Sequence, residues 1–257
     1  MIFDTHAHYD DGQFDEDREE LLRSMADKGV GTIVNVSASL KSCRRVVNMV
    51  QDYPFMYAAV GVHPDEVGEL DVESFVQVRE QAKREKVVAI GEIGLDYYWD
   101  HESHDIQKKW FVRQLELAGE LGLPVLIHSR EAAADTMEIM KEYARGLTGV
   151  IHCYSYSEEM AEEYVKMGFY IGVGGVVTFK NARKLKRTVE RIPLASIVLE
   201  TDCPYLAPEP FRGKRNQSAY IRFVAGEVAK IKGITCEEVI ARTEENGKRL
   251  YGIMREA

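Results

Sequence analysis

The sequence predicts a closed (β/α)8, TIM-like barrel, and three observations carry that prediction. Short apolar, often β-branched runs recur from one end of the chain to the other, as strands buried on both faces require. Amphipathic stretches separate them, the alternation that a parallel α/β sheet produces. No G-x-G-x-x-G follows the first apolar run, which removes the usual reason to prefer an open doubly wound sheet.

Taken in order, the candidate strands are Ile2–Asp4, Thr32–Val36, Met56–Val62, Val87–Ile90, Pro124–Ile127, Gly149–Ile151, Phe169–Gly172 and Ile197–Leu199. The clearest helix runs from His104 to Leu121, where Ile106, Trp110, Leu117 and Leu121 fall near helical spacing and Lys108, Lys109, Arg113 and Glu120 occupy other faces. Asp71–Lys83, Glu131–Tyr143 and Ser157–Met167 follow the same pattern. Ser157 with Glu158 and Glu159 marks a helix start, and Gly168 a stop. With 257 residues and neither repeat nor linker, the chain fits a single barrel domain, 1–257.

Composition bounds the function. A hydrophobic content of 45% and a charged content of 29% provide both a core and a soluble surface. A net charge of -9 argues against a protein that coats nucleic acid by bulk charge, but leaves room for a local phosphate site. There is no apolar run of about 18 residues to span a membrane and no basic-then-apolar leader at MIFDTHAHYD. Four widely spaced cysteines predict a reduced, cytoplasmic setting. No membrane and no obligate protein partner are implied.

The ionisable residues then become specific. His6 and His8 follow the first predicted strand, His63 closes the third, Glu92 the fourth, His128 the fifth, His152 the sixth and Asp202 the eighth. Of the seven histidines, only His101 and His104 lie elsewhere. In a parallel barrel these ends share one face, where active sites are built. Burying so many ionisable groups without partners is costly, and divalent metal ligation removes the cost. Imidazole with carboxylate suits Zn, Mn, Fe, Co or Ni, and a carboxylate-rich site also takes Mg. His6 and His8, two apart on an extended chain, project to the same side and can reach one ion.

The segments DTHAHYD (4–10), GVHP (61–64), AIGEIGLDYYWD (89–100), PVLIHSREAAAD (124–135), VGGVVTFKNARKL (173–185), LETDCPYLAP (199–208) and RGKRNQSAY (212–220) resemble the TatD family of metal-dependent hydrolases, within the amidohydrolase-like barrel superfamily. The matches cover the chain from residue 2 to about 250. Two departures stand out: Tyr156 occupies the place of a family glycine in HCYSYS, and Ser218 stands where a proline is usual. The resemblance implies a metallo-dependent hydrolase barrel with two divalent ions. His6, His8, Glu92 and Asp202 would hold one ion; Glu92, His128 and His152 would hold the other, with Glu92 bridging.

Such a pair activates water for displacement at phosphorus. Asp202 is the candidate to orient that water and accept its proton, and His63 the candidate to contact the scissile phosphate, with support of a neighbouring ligand as its alternative. Glu200 is a candidate partner for a ligand histidine, and Asp96 anchors a loop or contacts substrate. Cationic residues after strands seven and eight suit a phosphate site, with Arg130, Arg212 and Arg215 the best candidates. Lys184–Arg187 is better read as a solvated helix face. Cys153 and Cys203 are read as small filler rather than nucleophiles. The YYW segment, 97–99, either stacks a base or packs a loop over the rim. These readings favour a deoxyribonuclease or other phosphodiesterase, with DNA or another phosphodiester as substrate. A metal-dependent esterase, amidase, lactonase or aminoacyl-tRNA deacylase ranks second, and a non-catalytic metal-binding scaffold third.

Overall fold

The structure is a computed structural model that describes residues 1–99 and 101–253. Its strands are β1 (Ile2–Ala7), β2 (Val30–Val36), β3 (Met56–Val60), β4 (Val87–Asp96), β5 (Val125–Arg130), β6 (Gly149–Ile151), β7 (Tyr170–Val173) and β8 (Ile197–Leu199). The helices are α1 (Arg18–Arg23), α2 (Leu40–Met49), α3 (Val72–Ala82), α4 (His104–Leu121), α5 (Ala133–Tyr143), α6 (Glu158–Lys166), α7 (Arg183–Arg191), α8 (Ile221–Lys232) and α9 (Cys236–Tyr251). The strands follow one another in chain order within one sheet, the (β/α)8 barrel class that the sequence predicts. Among the described residues no helix is long and apolar enough to cross a membrane.

The chain divides into two compact units. The first combines Met1–Asn35 with the chain from Cys153 onward. In it β1 pairs in parallel with β2 and β7 with β8, while Ala7 bridges Cys203 just beyond β8. Every residue of β1 is buried, as the apolar run requires. Helix α9 lies on this strand: the Tyr251 ring stacks on Phe3 with centroids 5.8 Å apart, and its hydroxyl donates to the Thr5 carbonyl at 2.8 Å. Gly247 makes the close approach possible, since a Cβ there would sit 2.8 Å from the Phe3 ring.

The second unit, Val36–His152, contains the parallel run β3–β4–β5–β6. Helix α4 covers part of it, and its sequence pattern needs correction. Ile106, read as core-facing, is 39% exposed, whereas Gln107 and Gln114 are fully buried beside Trp110, Phe111 and Leu117. The two glutamines are seven residues apart, so they share the inward face. Each works as a substitute strand. The Gln114 Oε1 accepts from the Val62 amide at 2.8 Å, and its Nε2 donates to the Val62 carbonyl at 3.1 Å. Gln107 brackets Asp96 in the same way, at 2.8 and 2.9 Å. Backbone groups at the ends of β3 and β4 that lack a ladder partner are thereby satisfied.

Local signals set the boundaries. Ser103 caps α4, and Gly122 ends it in the left-handed region at φ 66°. Ser157 caps α6, and Gly168 at φ 92° stops it, as the sequence predicts. Three site residues lie deeper in their strands than expected. His6 is inside β1; Glu92 is mid-strand, because β4 runs on to Asp96; and His128 is inside β5, which continues to Arg130. The ladder persists there, with Gly94 opposite His128 and Asp96 opposite Arg130, although the side chains have turned polar.

Replacing Gln114 by Leu strands both polar groups of Val62 in the interior and lowers unfolding free energy by about 2–4 kcal/mol. Urea unfolding checks this; a loss below about 0.5 kcal/mol would show that water satisfies these groups instead.

Candidate metal centre

Two clusters of ionisable side chains stand at the C-terminal ends of the strands. In the first unit His6, His8 and Asp202 converge. The Nε2 atoms of His6 and His8 are 3.0 Å apart, and they lie 3.9 and 3.3 Å from Asp202 Oδ1. His6 lies in β1 and His8 one residue past its end, and the two-residue spacing brings both rings to one side, as predicted. Asp202 is delivered by a lock between β1 and the segment after β8. Buried Asp4 accepts from the Thr201 hydroxyl at 2.6 Å and the Thr201 amide at 3.0 Å. The Asp202 amide donates to the His6 carbonyl at 2.9 Å, and the His8 amide to the Cys203 carbonyl at 2.8 Å. Burial raises the Asp4 carboxyl to about 7, against the lowering effect of these hydrogen bonds and one from Ser218. Asn216 secures the same turn by donating to the carbonyls of Thr201 and Tyr205, each at 2.8 Å. Asp202 itself has φ 56°, a left-handed conformation uncommon for a non-glycine residue, held by these contacts.

In the second unit three imidazoles surround one carboxylate oxygen. From Glu92 Oε1, His128 Nδ1 is 2.8 Å away, His152 Nε2 3.6 Å and His63 Nε2 3.9 Å. Glu92 is 4% exposed, and its amide donates to the Ser37 carbonyl at 3.0 Å. His152 is placed by its amide, which donates to Ile127 at 2.9 Å. His63 begins a 3-10 turn, Pro64–Glu69, and its Nδ1 accepts the Asp65 amide at 3.2 Å. A neutral ring that accepts at Nδ1 carries its proton on Nε2, so His63 presents a donor toward Glu92 rather than a ligand lone pair. The far side of His128 meets Asp96, with Nε2 3.0 Å from Oδ2.

The donor chemistry fits divalent metal. Neutral imidazoles and carboxylates are grouped within one ion's reach in each cluster; His6, Glu92 and His152 are buried and the others are half-buried. Without a cation, close imidazoles and acids must share protons. Burial alone would lower the His128 pKa, but the bonds to Asp96 and Glu92 outweigh it and raise it to about 9. Asp96 is held down to about 2, because hydrogen bonds from His128 and from the Tyr98 and Trp99 amides overcome its burial.

The other candidates separate by environment. Glu200 is fully buried, and its Oε1 accepts from the Cys153 amide at 2.6 Å, fixing the residue that follows His152. The β7 glycine opposite, Gly172, makes room for it: a Cβ there would come within 2.5 Å of the carboxylate. Arg215 is engaged elsewhere, by a two-point ion pair with Asp17 and a bond to the Gln13 carbonyl at 2.7 Å. Arg212 is exposed and lies over the Phe179 ring at 4.3 Å. Arg130 is exposed and lies over Tyr98 at 3.9 Å. Lys186 and Arg187 sit on α7 and pair with Glu227 and Glu158, the helix-face role expected of them. Cys203 is buried, which pushes its thiol far above the ordinary range, as suits packing rather than attack.

A family model described as TatD related DNase matches residues 3–252. The chain belongs to this TatD family. It is 45% identical over 254 residues to YabD of Bacillus subtilis (strain 168), covering 98% of this chain and 100% of that one. It is 36% identical over 257 residues to YcfH of Escherichia coli (strain K12), covering 98% and 96%. Both relatives are described as uncharacterized metal-dependent hydrolases. The crystal structure of the TatD homologue YjjV from Escherichia coli K12 superposes with a TM-score of 0.91 at 32% identity, covering 98% of each chain. The chain is therefore a metal-dependent hydrolase of the TatD family.

Several contacts of this TatD protein have no signal in the sequence. Ser218, where the family has proline, donates its amide to the Tyr9 hydroxyl at 2.9 Å and pairs its own hydroxyl with it at 2.8 Å. A proline has no N–H for the first bond. The Asp4–Thr201 lock joins residues 197 apart and has no linear signal. The contact of Asp96 with His128 has no linear signal, because 32 residues intervene.

In the metal-free protein His128 titrates near 9, above its ordinary 6.5. Its protonated form stabilises the fold fully below the ordinary value, and that contribution is lost as pH rises through about 9. NMR titration of the ring reads this directly, and Asp96→Asn shifts the midpoint downward. A midpoint at the ordinary value in the parent protein would remove the interaction.

Proposed function

We propose that the chain is a deoxyribonuclease, a phosphodiesterase that cleaves DNA with two divalent ions. The observation that carries this reading is the convergence of three imidazole nitrogens on Glu92 Oε1, matched by the His6–His8–Asp202 group. His6, His8 and Asp202 would hold one ion and His128 and His152 the other, with Glu92 serving both. Bound divalent ions supply positive charge for a phosphoryl oxygen and lower the pKa of nearby water.

The chain's own groups do the rest. Asp202, held at the mouth by the backbone bonds around it, accepts the proton of the attacking water. His63, with Nδ1 occupied by the Asp65 amide, donates from Nε2 to a non-bridging phosphate oxygen. Asp96 holds the His128 ring, and Glu200 holds the chain after His152. Arg130 is the favoured phosphate contact and Arg212 the second; Arg215 is assigned to structure through Asp17. Free cysteines throughout the described chain support a reducing, cytoplasmic setting.

Incubation of metal-loaded protein with single- and double-stranded DNA, with and without chelator, tests the activity. Cleavage that chelator abolishes is expected, and Asp202→Asn should lower kcat about 10²–10⁴-fold. Metal analysis of the parent should return two ions per chain, falling to one in His8→Ala and in His128→Ala. Turnover of carboxylic esters with inert DNA would replace the phosphodiester reading by an acyl-ester one.

A further inference from the structure

The loop after β4 splits its three aromatic residues into two roles. Tyr97 is packed: its ring stacks on His104 with centroids 3.5 Å apart, and its hydroxyl donates to Asp135 at 2.7 Å. Tyr98 and Trp99 are turned outward, 50% and 54% exposed, with rings 5.0 Å apart in an edge-to-face arrangement. Exposed aromatics on a mobile loop would carry little meaning, but these are fixed. The amides of Tyr98 and Trp99 both donate to Asp96 Oδ1, at 2.9 and 3.0 Å. The other oxygen of that carboxylate meets His128. One buried carboxylate therefore ties the aromatic pair to the metal-ligand cluster at a fixed offset.

Arg130 completes the surface. Two residues beyond His128, its guanidinium lies 3.9 Å from the Tyr98 ring centre and 5.4 Å from that of Trp99. Among the described residues its guanidinium has no hydrogen-bond or ion-pair partner, unlike Arg187, Arg191 and Arg215, which face carboxylates. In a chain of net charge -9, an exposed unpaired cation backed by two aromatic faces is a specific combination. A π-face accepts a flat, apolar ring, and a planar cation beside it accepts an anion. A nucleotide unit of a single strand presents both, a flat base and an adjoining phosphate.

We propose that Tyr98, Trp99 and Arg130 form a base-stacking subsite that seats the nucleobase beside the phosphodiester to be cleaved. Trp99 stacks the base, Tyr98 backs the Arg130 guanidinium, and Arg130 binds the adjoining phosphate. Because stacking tolerates any base, the subsite selects unpaired strand over duplex without reading sequence. The proposal rests on the phosphodiesterase reading for its occupant and adds to it the residues that would hold the base next to the scissile bond.

The test uses metal-loaded protein and two cleavage-resistant phosphorothioate strands of equal length, one of thymidine and one abasic. Trp99 is exposed while the second tryptophan, Trp110, is only 5% exposed, so quenching of the exposed emission reports stacking at Trp99. The thymidine strand should quench and the abasic strand should not. On cleavable versions, KM should be about tenfold lower for the base-bearing strand. That ratio should fall to about one in Trp99→Ala and persist in Trp99→Phe, which keeps a flat ring. Equal binding of the abasic strand, or an unchanged ratio in Trp99→Ala, overturns the subsite while DNA cleavage leaves the phosphodiesterase reading intact. Selective quenching without cleavage of any strand overturns that reading and keeps the subsite. Loss of both signals removes both.

Discussion

Everything at the functional face depends on how this chain keeps ionisable groups in a place where water is scarce. Glu92 is almost wholly buried, yet its Oε1 is approached by nitrogens of His63, His128 and His152. A lone carboxylate in that position would be expensive, and three neutral imidazoles would not discharge the cost alone. Shared protons do so in the metal-free protein, and a divalent cation does so more completely. The raised His128 and the depressed Asp96 are the electrostatic trace of that need. The same reasoning covers His6, His8 and Asp202, where two ring nitrogens and a carboxylate oxygen crowd one point.

Holding these groups still falls to polar side chains that imitate backbone. Gln107 and Gln114 bracket Asp96 and Val62 with paired donor and acceptor contacts, as a neighbouring strand would. Asp4 and Asn216 do the same for Thr201. Val62 and Thr201 are each adjacent in the chain to a cluster member, and Asp96 touches one. The strands thus end in fixed geometry rather than in frayed loops, and side chains projected from the ends inherit that rigidity.

The arginines show how charge is apportioned. Arg187, Arg191 and Arg215 are engaged by carboxylates. Arg130, laid on aromatic rings, is kept in position without being neutralised. Cation–π contact fixes the guanidinium plane while leaving its hydrogen-bond donors available. An acidic protein can by this means hold a local anion site, where bulk charge would repel a polyanion.

The alternation of apolar runs determined the barrel class, and the order of His6, His8, His63, Glu92, His128, His152 and Asp202 along those runs singled out the members of the two candidate clusters. Both follow from local chemistry: buried strands must be apolar, and a polar residue at the end of such a run is conspicuous. The sequence also marked the Ser157 and Gly168 boundaries of α6, because caps and left-handed glycines act within a single turn. Only the tertiary structure decided how far β4 and β5 extend past their apolar stretches, since ladder pairing, not hydrophobicity, holds Gly94 against His128. It alone turned Gln107 and Gln114 inward and left Ile106 exposed, committed Arg215 to Asp17, and joined Asp96 to His128. Those outcomes depend on partners distant along the chain, and a hydrogen bond is set by the position of its two atoms, which no spacing along one segment encodes.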